Sequence, residues 1–108
     1  MPKIYIIDVT NRDGVQTARL NLSKLQKTMV NYYLSKMGVY QSEFGFPALI
    51  SEKNYIEGNI RLHEKGVFGN MILSGWTRAQ AEDVEKALKL TRVKHLNISI
   101  STSQIMTM

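Results

Sequence analysis

Residues 4–7 read Ile-Tyr-Ile-Ile, an apolar run of β-branched and aromatic side chains with no polar position before Asp8. A strand buried on both faces, as in a parallel sheet, has this pattern. Polar residues then crowd in: Asp8, Asn11, Arg12, Asp13 and Gln16, with Gly14 permitting a tight turn. Ser23 and Gln26 stand at capping-box spacing. Leu25, Met29, Tyr32 and Tyr33, widened by Val30 and Met37, follow at helical spacing, and Gly38 suits a left-handed stop. A second strand is predicted over 39–44, with Gln41, Ser42 and Glu43 where a covered strand should be apolar. Burying three polar side chains is costly unless each finds a partner. The strand is therefore either an exposed edge or one whose inward residues line a site.

A second helix is predicted over 51–65, with Ile56, Ile60 and His63 on one stripe and Gly66 at its end. His63, in mid-helix, reads as a packing or surface residue. A short strand over 71–73 and a loop over 74–77 come next. Thr77 and Gln80 repeat the capping spacing ahead of a third helix over 78–90, whose apolar face is Ala81, Val84, Ala87 and Leu88. A fourth strand over 96–100 alternates cleanly, so one of its faces is polar. Strand and helix thus alternate three times before a last strand. Short connections of this kind require a parallel α/β sheet with right-handed crossovers.

Composition narrows the function. The chain has 108 residues, 44% of them hydrophobic and 21% charged, which suits one globular domain over 1–108. It has no cysteine, which excludes a disulfide framework and thiolate chemistry. No signal peptide or membrane-length apolar run is visible, so the expected location is the cytoplasm. The net charge of +5 is spread along the chain, mildly concentrated at Arg19, Lys24, Lys27 and Lys36, and reads as solvated helix faces. A nucleic-acid partner is not expected, because there is neither a concentrated basic patch nor a reading motif. No G-x-G-x-x-G phosphate fingerprint follows any strand.

The chemistry gathers after the first strand. Ligands of α/β folds sit at the carboxyl ends of the strands. There Asp13 offers a hard oxygen to a divalent ion, and Arg12 a fork that fits a carboxylate. The same triplet with Gly14 also suits a solvent-exposed turn. The run Asp8-Val9-Thr10-Asn11-Arg12-Asp13-Gly14-Val15-Gln16 resembles the opening signature of the DRE-TIM metallolyases, Asp-Thr-Thr-Leu-Arg-Asp-Gly-Glu-Gln. That group includes 2-isopropylmalate synthase and homocitrate synthase. The chain departs from the signature at Val9, Asn11 and Val15. Glu43-Phe44-Gly45-Phe46-Pro47 is similar to the family's Glu-x-Gly-Phe-Pro segment, and Ser101-Thr102-Ser103 to its Thr-Ser segment after strand four.

The resemblance implies the first half of a (β/α)8 TIM barrel, about four strands and three helices, with two open edges and an uncovered inner face. It is nearest to the homocitrate synthases associated with nitrogenase, some of which occur as two chains. The implied reaction condenses acetyl-CoA with 2-oxoglutarate and hydrolyses the thioester to homocitrate, used in nitrogen fixation. By position, Asp13 is implied as ligand of a divalent metal (Mg, Mn or Zn). Arg12 would stabilise the alkoxide. Gln16 and Glu43 would shape the substrate pocket, Glu43 also serving proton transfer. Arg78 and Thr102 are further pocket candidates. His63 and His95 form no His-x-His pair, so the expected partner is a complementary half-barrel chain that carries one. A fragment like 2-isopropylmalate synthase, a non-catalytic half-barrel with a regulatory role, and a piece of a longer enzyme are the alternatives.

Overall fold

The computed structural model describes residues 5–14 and 23–99. Four parallel strands form one sheet in the order β1-β2-β3-β4: β1 (Ile7–Asp8), β2 (Gln41–Gly45), β3 (Ile72–Arg78) and β4 (Leu96–Ser99). Three helices connect them: α1 (Lys24–Lys36), α2 (Lys53–Glu64) and α3 (Ala81–Leu90). The parallel α/β sheet expected from the strand–helix alternation is present, as the first half of a barrel implied by the resemblance would have it, and among the described residues β1 and β4 are its edges.

The local signals at α1 act as the sequence implies. The Ser23 hydroxyl accepts from the Gln26 backbone N–H at 3.1 Å, and the Gln26 side chain accepts from the Ser23 N–H at 2.8 Å. Two orphan donors of the first turn are thereby satisfied. After the helix, Gly38 takes a φ of 80°, open to glycine at little cost. The buried face of α1 keeps only part of the expected stripe: Val30 and Tyr32 pack against the core. Leu25, Met29, Tyr33 and Met37 are exposed, whereas Asn31 and Leu34 are buried. The helix turns a polar residue inward beside these because that residue finds hydrogen-bond partners there.

The core lies between the sheet and the helices. Phe44 and Leu73 from the strands pack with Leu34, Tyr55, Ile56, Phe68, Met71 and Val93. Full burial of a side chain such as Phe44 or Ile56 contributes about 1.5–3 kcal/mol. On α3, Ala87 and Asp83 are buried while Leu88 is exposed.

Two boundaries move. β3 is longer than the apolar run 71–73 suggests: Ser74, Gly75, Trp76 and Thr77 are strand, not loop. Pairing on both sides holds them extended, Glu43 opposite Ser74, and Trp76 opposite Asn97. The expected cap from Thr77 is therefore absent. Thr77 is buried within the strand, and α3 starts after Gln80 without a side-chain cap. Arg78 ends β3 instead of opening α3. β2, whose polar run left two readings open, is an interior strand between β1 and β3.

Gly75 is where strand and turn come closest. A Cβ there would stand 2.4 Å from Pro47 Cγ and 2.8 Å from Pro47 Cδ. The ring cannot swing aside as a flexible side chain would. Gly75→Ala should therefore destabilise the fold by about 1–3 kcal/mol, the usual cost of overpacking, measured by urea unfolding. An unchanged midpoint would show that the Pro47 turn yields freely.

Candidate functional site

Side chains alternate across a strand, so Ser42, Phe44 and Leu73 face the helices while Gln41, Glu43, Ser74 and Asn97 share the opposite face. A π-helical turn, Thr10–Gly14, follows β1. Asp8 starts it by accepting the Thr10 N–H at 2.9 Å. The turn sends Arg12 over the face opposite the helices, where its Nε donates to Glu43 Oε1 at 2.9 Å. The Arg12 guanidinium carbon lies 4.7 Å from the centre of the Trp76 ring. Phe46 meets that indole edge-on, with ring centroids 4.9 Å apart. Arg12 is thus held at an edge by a carboxylate and on a face by an aromatic ring.

The pair is nearly dry. The side chains of Arg12 and Glu43 keep 16% and 7% of their exposure. That excludes the solvent-exposed turn for Arg12. Glu43 is steadied by Asn97, whose amide donates to Glu43 Oε2 at 3.4 Å and to Ser74 Oγ at 3.2 Å. Gln41 donates to the same Ser74 hydroxyl at 2.8 Å. Of the polar run of β2, Gln41 and Glu43 lie on this face and Ser42 on the other, and each has a hydrogen-bond partner. Ser74, Trp76 and Asn97 were not singled out from the sequence. The polar face of the fourth strand was the signal for Asn97. Trp76 to Arg78 matches the family only weakly, and a segment that reads as loop does not place the indole on the sheet face.

A second polar network lies behind the sheet. Asn11 donates to the Lys27 carbonyl at 2.7 Å and to Asn31 Oδ1 at 2.9 Å. Asn31 donates to the Tyr55 hydroxyl and to Asn59 Oδ1, both at 3.0 Å, and accepts from Ser42 Oγ at 3.0 Å. Tyr55 donates to the Phe44 carbonyl at 2.7 Å. Burial raises the Tyr55 phenol far above its ordinary pKa, so it stays a donor throughout the working range.

The other candidates are placed as follows. Gln16 and Thr102 lie outside the described residues, as does the side chain of Asp13. Among the described residues no group of three His, Cys, Asp or Glu side chains comes together to hold a metal ion. The described residues alone do not make a divalent-metal site. His63 Nε2 donates to the Met71 carbonyl, 2.6 Å away, and its ring lies near Phe68, a packing role. Among the described residues no helix is long and apolar enough to cross a membrane. A cavity of about 540 Å³ beside Tyr5, Tyr40 and Phe68 lies at the other end of the strands from Arg12.

Arg78 does not join Arg12 and Glu43. Its Nε and Nη2 donate to Asp83 Oδ2 and Oδ1 at 2.7 and 3.1 Å. The hydrogen bonds and charge of Arg78 hold the Asp83 carboxyl below its usual range. A carboxyl lowered in the native state adds stability above its unfolded pKa of about 3.9, and loses it as pH falls through the native value. The melting-temperature gap between the wild type and Asp83→Asn should be present at pH 7 and shrink below about pH 4. An equal gap at both ends would contradict the ion pair.

The HMGL-like family model matches residues 3–108. The chain is 58% identical over 107 residues to the citrate (Re)-synthase of Dehalococcoides mccartyi, covering 98% of this chain and 26% of that protein. It is 34% identical over 106 residues to 2-isopropylmalate synthase 1 of Caldanaerobacter subterraneus, covering 95% and 26%. For the 2-isopropylmalate synthase of Sulfurisphaera tokodaii the figures are 35% over 103 residues, 95% and 26%. The chain spans about a quarter of the length of these relatives. With the Arg12–Glu43 pair on the open face of a parallel sheet, the match over nearly its whole length makes this chain a member of the HMGL-like family, the DRE-TIM group.

Proposed function

We propose that the chain is the N-terminal half-barrel of a synthase that condenses acetyl-CoA with a 2-oxo dicarboxylate. The observation that carries this reading is the nearly dry Arg12–Glu43 pair on the sheet face away from the helices. The much higher identity to a citrate (Re)-synthase than to 2-isopropylmalate synthases favours citrate as product. Disconnecting citrate at its new carbon–carbon bond gives an acetyl unit and oxaloacetate, so oxaloacetate is the favoured acceptor. Homocitrate from 2-oxoglutarate, the product expected from the sequence and tied there to nitrogen fixation, differs by one methylene.

In the reaction, the acetyl methyl carbon loses a proton and attacks the 2-oxo carbon, and water then cleaves the thioester, releasing coenzyme A. Arg12 donates to the oxygen that becomes an alkoxide, which strengthens as charge develops. Glu43 orients Arg12 and relays a proton, itself fixed by Asn97, which Ser74 holds in turn. Asp13 would be the chain's donor to a divalent metal, the remaining donors coming from elsewhere in the barrel. Gln16 and Thr102 would line the acceptor pocket.

A complementary half-barrel is the proposed partner. The β1 edge exposes Tyr5, Ile6 and Ile7, and α1 exposes Leu25, Met29, Tyr33 and Met37. Apolar exposure on this scale, beside strand edges that are unpaired among the described residues, supports a surface that is covered in the working protein.

Release of free coenzyme A from acetyl-CoA and oxaloacetate tests the reading. The isolated chain should stay at background, with activity appearing on addition of a chain that supplies the missing strands. In that assembly Glu43→Gln should lower turnover by about 10²–10⁴-fold, and Asp13→Ala should abolish it. Turnover of about 1 s⁻¹ or more by the isolated chain would overturn the half-barrel account. A tenfold preference for 2-oxoglutarate over oxaloacetate would assign homocitrate as product.

A further inference from the structure

Asn31 sits on α1, fully buried, on the helix side of the sheet. Its carboxamide has two donors and two acceptor positions. All four are used: Nδ2 by Tyr55 and Asn59, Oδ1 by Asn11 and Ser42. The destinations of these bonds matter more than their number. Asn11 directly precedes Arg12. Ser42 directly precedes Glu43. Tyr55 passes the network on to the carbonyl of Phe44, on the other side of Glu43. One side chain thus ties down the side chains of the residues before Arg12 and before Glu43 and, through Tyr55, the backbone after Glu43, from the face opposite to the pair.

Packing alone does not call for such an arrangement. An apolar residue would fill the space, but it would leave the amide of Asn11 and the hydroxyl of Ser42 to find other partners. Directional bonds between buried groups hold their ends at fixed separations. Arg12 rides on a five-residue turn after a two-residue strand, a segment with little regular pairing of its own. Asn11 is also one of the places where this chain departs from the family signature. The departure is absorbed by Asn31, which supplies the polar partner that an apolar residue at position 11 would not use.

We propose that Asn31 is the positioning residue that sets the separation of Arg12 from Glu43. The proposal rests on the reading of those two as the reacting pair.

Trp76 is the single tryptophan of the chain and lies against the Arg12 guanidinium, so its emission reports where Arg12 sits. The experiment records that emission for the wild-type chain and for Arg12→Ala, Asn31→Ala and Asn11→Ala, alongside melting temperatures. It then measures kcat and the acetyl-CoA KM of the same variants in the assembled synthase. Asn31→Ala and Asn11→Ala should move the emission toward that of Arg12→Ala. They should lower kcat by about 10²-fold, the cost of a misplacement of roughly 1 Å, while leaving the acetyl-CoA KM unchanged. Wild-type emission or wild-type kcat in a folded variant overturns the proposal, even where the melting temperature falls. If Asn31→Ala does not fold, Ser42→Ala, which removes only the Ser42 hydroxyl's bond to Asn31, is read by the same emission and kcat criteria and decides with Asn11→Ala. If the assembled wild type condenses no 2-oxo acid, the functional reading fails, and the emission series still decides whether Asn31 places Arg12.

Discussion

The hydrogen bonds of the Asn31 carboxamide are the constraint from which the rest of this half-barrel follows. A buried amide left without partners costs about 1–3 kcal/mol for each unmet group, so α1 can dock only where Asn11, Ser42, Tyr55 and Asn59 meet it together. That requirement fixes the rotation of α1. It also explains why the apolar residues Leu25, Met29 and Tyr33 point away from the sheet: the helix face that turns inward is chosen by the network. Asn59 extends the tie by donating to Thr28 of α1 and to the Tyr55 carbonyl, so the two helices and β2 form one bonded layer.

Fixing one face of β2 fixes the other, because successive side chains alternate. With Ser42 and Phe44 held against the helices, Glu43 must point to the opposite side. There it meets Arg12 at one oxygen and Asn97 at the other. In a closed barrel such inward residues are usually branched and apolar and fill the interior in layers. Here Gln41, Glu43, Ser74 and Asn97 make a hydrogen-bonded ladder across three strands. A polar interior layer of this kind suits a face that meets a polar ligand. Removing one partner of a buried ion pair commonly costs 3–5 kcal/mol, so the Arg12–Glu43 contact keeps its two ends interdependent.

Much of this was legible in the sequence, and the misses have physical reasons. The capping box at Ser23 and Gln26 was readable because it is local, with donor and acceptor three residues apart. The same spacing at Thr77 and Gln80 misled, because pairing with β2 and β4 extends the chain through Thr77 and tertiary contacts override a local signal. Glu43 was found because a carboxylate in an otherwise buried strand needs a partner. Trp76 was missed because a segment holding Ser74 and Gly75 resembles a turn until strands on both sides hold it straight. Asn31 was missed because a polar residue within a helical apolar pattern looks like the solvent face. Only the three-dimensional arrangement shows four partners converging on it. Arg78 was legible as a cation near a strand end, but not as the partner of Asp83, which the helix start brings within reach.

The central claim is that the face carrying Arg12 and Glu43 receives the 2-oxo acid. A crystal structure of the assembled barrel soaked with oxaloacetate tests it most directly. The account predicts density for the acceptor with its 2-oxo oxygen within hydrogen-bond distance of the Arg12 guanidinium and the Glu43 side chain close by. Density confined to the opposite end of the strands, in the cavity beside Tyr5 and Tyr40, with Arg12 and Glu43 untouched, would contradict it.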